Sequence, residues 1–256
     1  MAGPKFGPTG RPAGGGPVLD LLGIAFLAAT AVVVYMTFAR ASAADIEEAW
    51  RATEVLLVER DLTKGLPIYI RIFKEESALE LWMADRAQDP GEPSQWRLLR
   101  TFPICSWSGR LGPKLKEGDH QSPEGFYRVG KSSLNPNSRF HLSFNLGFPN
   151  AYDRAHGRTG SFLMVHGNCV SVGCYAMTDP FMEVIYRLVE AALLEGQPHV
   201  PVHIFPFRMT EENLHKYRSN PWTDFWREIK PAYDAFEKNK QPPSVLMNRN
   251  HYEILT

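Results

Sequence analysis

VHGNCVSVGCYAMTD, Val165–Asp179, closes an apolar run on His166-Gly167 and then sets Cys169 and Cys174 among glycines and small residues. A histidine and two cysteines this close admit three chemistries: a disulfide, a metal site, or a nucleophile beside its base. Cysteine reactivity follows compartment and neighbours more than the cysteine itself. The flanking sequence therefore has to decide.

Upstream, LPIYIRIF (66–73), ALELWMA (78–84), WRLLRTFPICSW (96–107) and GFYRVG (125–130) alternate as strands do, with turns such as DPGEP (89–93) and GRLGPK (109–114) between them. RFHLSFNLGF (139–148) and SFLMVHG (161–167) add two more strands before the motif. Downstream, PFMEVIYRLVEAALLEG (180–196) has helical periodicity, with Thr178 or Asp179 to cap it and Gly196 to end it. VPVHIFPF (200–207) predicts a further strand, and TEENLHKYR (210–218) and PWTDFWREIKPAYDAFEK (221–238) predict helices that stop before Pro242-Pro243. DIEEAWRATEVLLVER (45–60) predicts an opening helix. Strands in succession without helices between them argue for antiparallel or mixed sheets, closed or sandwiched, rather than a Rossmann layering. The expected class is α+β, mainly β with flanking helices.

The N-terminus reads differently. Residues 1–17, rich in Gly and Pro with Lys5 and Arg11, predict a disordered basic leader. Val18–Ala39, apolar except for Asp20, is near the length needed to cross a bilayer. The cations before it favour export of the chain beyond it, and Ala41-Ser42-Ala43 offers a signal-peptidase site. Residues 18–43 are thus expected to be a signal anchor in the inner membrane or a cleaved signal peptide, residues 44–65 a helix and linker, and 66–256 one exported, periplasmic domain with C-terminal helices. No linker breaks the chain after Ala44.

With 28 basic and 28 acidic residues the molecule has no net field to draw it onto nucleic acid, and no basic stripe interleaves its aromatic residues. An exported chain can oxidise its thiols. Three cysteines, Cys105, Cys169 and Cys174, leave at least one unpaired or joined to another chain. Cys169 can pair with Cys174 in a short loop, and pairing with Cys105 is equally open. A zinc reading would use His166, Cys169 and Cys174 with His156, His199 or His203 as fourth ligand, but the second ligand cluster of a structural site is missing. The nucleophile reading explains more. His166 can take the thiol proton of Cys174, lowering its effective pKa through an ion pair, and Gly173 allows the backbone to aim N–H groups at an oxyanion.

Ser171-Val172-Gly173-Cys174 after His166-Gly167 resembles the signature of the L,D-transpeptidase catalytic domain (YkuD-type). With GPKLKEGDHQSPEGFYRV upstream and the G-C-Y-A-M-T-D ending, the chain is similar to the YafK-like branch of that family from about Leu66 to Tyr252. The resemblance implies a β-sandwich or barrel and a cysteine thioester acyl-enzyme acting on meso-diaminopimelate-containing stem peptides of peptidoglycan. Cys174 would be the nucleophile, His166 the general base, the Gly167 carbonyl the group orienting His166, and Gly173 part of the oxyanion hole. No metal or organic cofactor is implied. Cross-linking and release of a diaminopimelate-linked lipoprotein share the first half of this chemistry. Most members carry a histidine at Val172 and an arginine or asparagine at Ala176, and the interval from His166 to Cys174 is shorter than in many.

A replacement for that arginine, as a clamp for a substrate carboxylate, could come from Arg208, Arg158 or Arg139, with Arg208 first because it follows the strand after the active-site helix. Ser171 and Tyr175, beside the nucleophile, are further candidates for substrate binding. The family resemblance makes Lys114, Asp119, His120 and Glu124 part of the cleft wall, and Asn145, Asn150, Tyr152 and Asp153 a turn lining it. The alternative from another class is a noncatalytic wall-binding module whose cysteines are oxidised or metal-bound.

Overall fold

Ile68–Phe73 (β1) is buried at all six positions, which an alternating strand achieves only when both faces of its sheet are covered. In the computed structural model, which describes residues 43–85 and 94–255, both faces are covered. The leader and nearly all of the apolar segment expected to enter the membrane lie outside the described residues, as does the DPGEP turn. No helix among the described residues is long and apolar enough to cross a membrane. Residues 43–59 form the opening helix α1.

β1 pairs antiparallel with Ala78–Ala84 (β2), which pairs with Trp96–Pro103 (β3); on its other side it runs parallel to Val200–Phe205 (β10), whose far neighbour is Gly125–Val129 (β5). The first sheet thus has the order β3-β2-β1-β10-β5. Ile68, Ile70 and Ile72 join the larger core with Leu79, Leu81, Val202 and Ile204. Helix α3 (Asp179–Leu194) buries Val184, Ile185, Leu188 and Val189 in the same core. Phe73 faces the opposite side, where Phe205, Phe207, Phe225, Trp226 and Tyr233 form a second cluster largely supplied by α5 (Thr223–Asn239). A short helix, α2 (Ala151–Ala155), precedes α3, and α4 (Glu211–Lys216), capped by the Thr210 hydroxyl accepting from the Asn213 N–H, precedes α5.

Two polar side chains of the first sheet are buried at cost. Arg71, 2% exposed, gives Nε and Nη2 to Glu80 Oε2 and Nη1 to Glu237 Oε1, and its guanidinium lies 4.4 Å from the Phe236 ring centroid. His203, opposite Arg71 in the parallel pair, meets the Tyr69 hydroxyl through Nδ1 at 2.8 Å. Burial, with Arg71 and Arg128 nearby, pushes this imidazole down to about 3. The unfolded chain takes up a proton here as pH falls through about 6.5 and the native chain does not until about 3, so stability falls in that window by about 1.4 kcal/mol per pH unit. In chemical unfolding at about pH 6 and about pH 4, His203→Gln should lose less stability than the wild type by roughly 2–3 kcal/mol. Equal losses would show that the imidazole is not held neutral.

The second sheet has the order β4-β9-β8-β7-β6. Its strands are short: Ser106–Trp107 (β4), Leu134–Asn135 (β6), Ser143–Asn145 (β7), Met164–His166 (β8) and Tyr175–Ala176 (β9). Phe144, Val165 and Tyr175 face the larger core, which the two sheets share across α3. RFHLSFNLGF contributes only three strand residues, because Phe140 and His141 turn away to receive the loop after His166. The C-terminal region is not helical to its end. Ser244–Asn248 (β11) and His251–Leu255 (β12) form a hairpin whose turn residues Arg249 and Asn250 both have positive φ.

Candidate active site

Parallel pairing of β8 with β9 sets Val165 beside Tyr175 and His166 beside Ala176. Cys174 immediately precedes β9, at the end where that strand meets Met164, the first residue of β8. Met164, adjacent to Cys174 in this register, donates its N–H to Sγ at 3.4 Å, and the thiol lies 3.7 Å from the Phe162 carbonyl that accepts from it. The sulfur thus rests on the 162–164 backbone.

His166 is oriented by its neighbour. Nδ1 lies 2.6 Å from the Gly167 carbonyl, which can only accept, so the proton sits on Nδ1 and the Nε2 lone pair is free. The ring packs 5.0 Å from that of Phe140. Gly167 must be glycine for reasons of space: a Cβ there would come within 2.5 Å of Asp179 Oδ1 and 3.0 Å of the Phe140 carbonyl. Asp179, the first residue of α3, reaches back to accept from the Asn168 N–H at 2.7 Å. Ser143, opposite His166 across the β7–β8 pair, has a buried hydroxyl without a partner, and nothing in the structure accounts for it.

Three serines fix the backbone around Cys174. Ser122 Oγ and Ser171 Oγ both donate to the Cys174 carbonyl, at 2.9 and 2.7 Å, and the Gly173 N–H is taken by Ser108 Oγ at 2.6 Å. The last bond corrects one expectation, since an amide already donating to a hydroxyl is not free for an oxyanion. Gly173 has φ +104, a region closed to most side chains, with Leu163 Cδ1 3.2 Å from where a Cβ would stand.

Electrostatics correct a second expectation. Burial pushes the Cys174 thiol up, opposed by the Met164 N–H and by the charge of Lys114, and burial lowers His166 despite its bond to Gly167. The resting site is a neutral thiol with a neutral imidazole. An ion pair half out of water lacks the further hydrogen bonds that would hold both charges.

Lys114, whose charge bears on Cys174, is paired with Asp119. The Asp119 carboxylate accepts from Lys114 Nζ and from the N–H groups of Leu115, Lys116 and Gln121, and closes the loop on itself. His120 is exposed on that loop. Glu124 stands behind the wall instead, fully buried, 3.1 Å from Lys74 Nζ and hydrogen-bonded to the Gly112 N–H and Trp226 Nε1. Lys74 also binds the carbonyls of Arg110, Gly112 and Ser122, tying the wall to the end of β1.

Other candidates are placed elsewhere. Arg208 forms an ion pair with Glu80 at 2.6 Å and stacks on Phe73, on the α5 side of the first sheet. Arg158 is buried against Asp153 at 2.9 Å, between Tyr152 and Phe225. Tyr175 is fully buried, its hydroxyl on the Pro123 carbonyl at 2.7 Å. Each is satisfied where it stands, so none presents a free polar group to the sulfur. The sequence missed Ser108, Ser122 and Asp179, because a serine in a turn or a carboxylate in a first helical turn carries no signal of what it will reach.

The cysteine question has a definite answer. Cys105 and Cys169 are bonded, their Cα atoms 5.1 Å apart, and Cys174 is free. The bridge pins Asn168 and Cys169, both at positive φ, to the residue before β4. It also takes one of the thiols the zinc reading needed. Closing a span of 64 residues is worth up to about 4 kcal/mol on chain-entropy grounds. Chemical unfolding of a Cys105→Ser/Cys169→Ser variant should show a loss of about 2–4 kcal/mol; an unchanged midpoint would show that the bridge constrains nothing.

Comparison with known proteins places this geometry. A family profile described as the L,D-transpeptidase catalytic domain matches residues 91–204. A relative from Escherichia coli strain K12, named "Putative L,D-transpeptidase YafK", is 48% identical over 190 residues, 74% of each chain. A mutant of the helical cell shape determining protein Pgp2 from Campylobacter jejuni aligns at 18% identity with a TM-score of 0.43, over 72% of this chain and 63% of that one, just under two thirds of its length. Bdellovibrio bacteriovorus Bd1075 aligns at 16% identity with a TM-score of 0.38, over 75% and 86%.

Proposed function

Because the chain belongs to the L,D-transpeptidase catalytic-domain family, we propose that it is a cysteine acyl-transfer enzyme of peptidoglycan, exported to the periplasm and acting on stem peptides through Cys174. The observation that carries this reading is a free thiol held by the backbone of β8, the strand that ends in His166, whose Nδ1 is committed to Gly167, leaving Nε2 as base. In the first step His166 Nε2 takes the thiol proton as Sγ adds to the carbonyl carbon of the peptide. The oxyanion forms beside the Cys174 N–H, the amide that adjoins the sulfur. Collapse breaks the C–N bond, His166 returns its proton to the departing amine, and a thioester remains. Attack by a second amine makes a cross-link; attack by water trims the peptide or frees a diaminopimelate-linked lipoprotein. The neutral resting pair suits this scheme, because the proton moves only when a carbonyl is present to receive the sulfur.

Anchorage by residues 18–39 or cleavage after Ala43 both leave the site on the exported side. A noncatalytic module with oxidised cysteines fits less well, since the one cysteine outside the disulfide is the one that rests on the strand ending in His166. The test is mass spectrometry of wall peptides incubated with the full chain and with its Cys174→Ala form, scoring cross-links and freed termini separately. Neither product above the control would overturn the assignment.

A further inference from the structure

The hairpin β11–β12 does not join the first sheet. Between it, the outer strand β5 and the segment leading into α2 lies a cavity of about 510 Å³, which shares no lining residue with the contacts of Cys174 and His166. Arg128 reaches across it from β5 to the Val245 carbonyl at 3.1 Å. Arg154 and His199 also line it, and no aspartate or glutamate does among the described residues. The carboxylates on neighbouring elements are engaged: Asp153 with Arg158, and Glu228 with the Tyr152 hydroxyl and the Tyr252 N–H. The cationic lining is therefore uncompensated from within.

Two further features say what would fit. Tyr252, half-buried, is stacked on Tyr152 at 4.1 Å between centroids, nearly parallel at 6°, and gives the wall an aromatic ring; the other face of Tyr152 is covered by His156. His203, 3% exposed, borders the cavity while its hydrogen bond goes from Nδ1 to Tyr69, so Nε2 has no protein partner. With the Tyr69 hydroxyl donating to Nδ1, the ring proton lies on Nε2, a donor on the cavity wall. A guanidinium pair, an unpaired ring N–H and an aromatic face in a space several times larger than a simple anion match a ligand with a planar acceptor at one end and an organic body.

We propose that this cavity is a second binding site, separate from the Cys174 cleft, for a short peptide presenting a free carboxylate. The carboxylate is held by Arg128 and Arg154 with the His203 ring N–H available to the same ligand, and the peptide body lies along Tyr252. The site stands whether or not the chain turns over peptidoglycan, because none of its residues takes part in the acyl transfer at Cys174.

The experiment is a titration of the full chain, followed by the ring resonances of His199 and His203, with three probes: the tripeptide alanyl-γ-glutamyl-diaminopimelate, the same peptide with its carboxyl groups amidated, and inorganic phosphate. The free-acid peptide should shift both rings saturably. Amidation, or the Arg128→Gln/Arg154→Gln pair in the protein, should each weaken binding at least about tenfold, a loss of about 1.4 kcal/mol or more. Arg128→Lys should fall between, and an unmoved His166 ring resonance in the unliganded double variant shows that the fold is intact. Equal affinity for the amidated peptide, unchanged affinity in the double variant, phosphate binding as tightly as the peptide, or no shift at either ring would each overturn the proposal. Loss of wall-peptide turnover in Cys174→Ala with this binding retained would separate it from the catalytic reading.

Discussion

Replacing Cys174 by alanine is expected to lower turnover of wall peptides by about 10⁴-fold or more, with little change in stability. The loss stems from the intermediate: without Sγ there is no thioester, and water alone must attack an unactivated amide. Structure should be spared. The side chain rests on the backbone of residues 162–164 by two weak sulfur hydrogen bonds, whereas the strong bonds at this position, from Ser122 and Ser171, go to its carbonyl and survive the substitution. Activity is read as product formed per enzyme, and folding as the thermal midpoint. If alanine retained more than about 1% of turnover, against the loss of 10⁴ that removing a nucleophile brings, the nucleophile would have to be sought elsewhere.

His166→Gln should cost about 10²–10⁴-fold, and its pH dependence identifies the role better than the loss does. A general base works only when neutral. Burial lowers the His166 imidazole below the usual 6.5, so wild-type activity should persist as pH falls to 6.5 and disappear only at a midpoint below it. Glutamine cannot titrate, and in the variant this acid limb should vanish from what activity remains. An acid limb that persists in His166→Gln, or a wild-type midpoint above 6.5, would assign the proton to another group. The raised thiol makes the matching statement about the sulfur: its alkylation by a small electrophile should accelerate only as pH rises past about 9.

How much of this was legible in the sequence depends on whether the signal was local. IYIRIF, ALELWMA and VPVHIF alternate strongly and became strands β1, β2 and β10 at nearly the expected bounds. The α3 helix was equally plain from its apolar spacing. Strands β4 and β9, two residues each, are held by their neighbours rather than by propensity: the sequence reads Ser106-Trp107 as the end of one strand over 96–107, whereas the chain leaves the first sheet after Pro103 and enters the second. Arg71 reads as the exposed side of an alternating strand. It is buried because α5, more than 150 positions later, brings Glu237 and Phe236 over it. The terminal hairpin escaped notice because Arg249-Asn250 adopts positive φ without the glycine that usually marks such a turn.

The candidate site divides in the same way. His166, Gly167, Gly173 and Cys174 stand within nine consecutive residues, and their relation survives any error in the fold around them. Arg208 and Arg158 were proposed as clamps on position along the chain alone, and folding gave each a carboxylate of its own, Glu80 and Asp153. Glu80 lies 128 positions from Arg208, beyond any local pattern, whereas Asp153 is only five from Arg158. Ser108 and Ser122 became essential to the shape of the nucleophile's backbone through contacts 65 and 52 positions long, a range at which no pattern in the chain speaks.

The bridge between Cys105 and Cys169 sets a problem of order for the newly made polypeptide. In the disordered chain, Cys169 meets Cys174 far more often than it meets Cys105: closing a ring of five residues rather than 64 is favoured by roughly 2 kcal/mol of loop entropy. Random oxidation would therefore trap the reacting sulfur and yield a stable but inert isomer. Productive maturation needs either collapse around Ile70 and Val202 before the thiols are oxidised, or a thiol exchange catalyst to undo the early mistake.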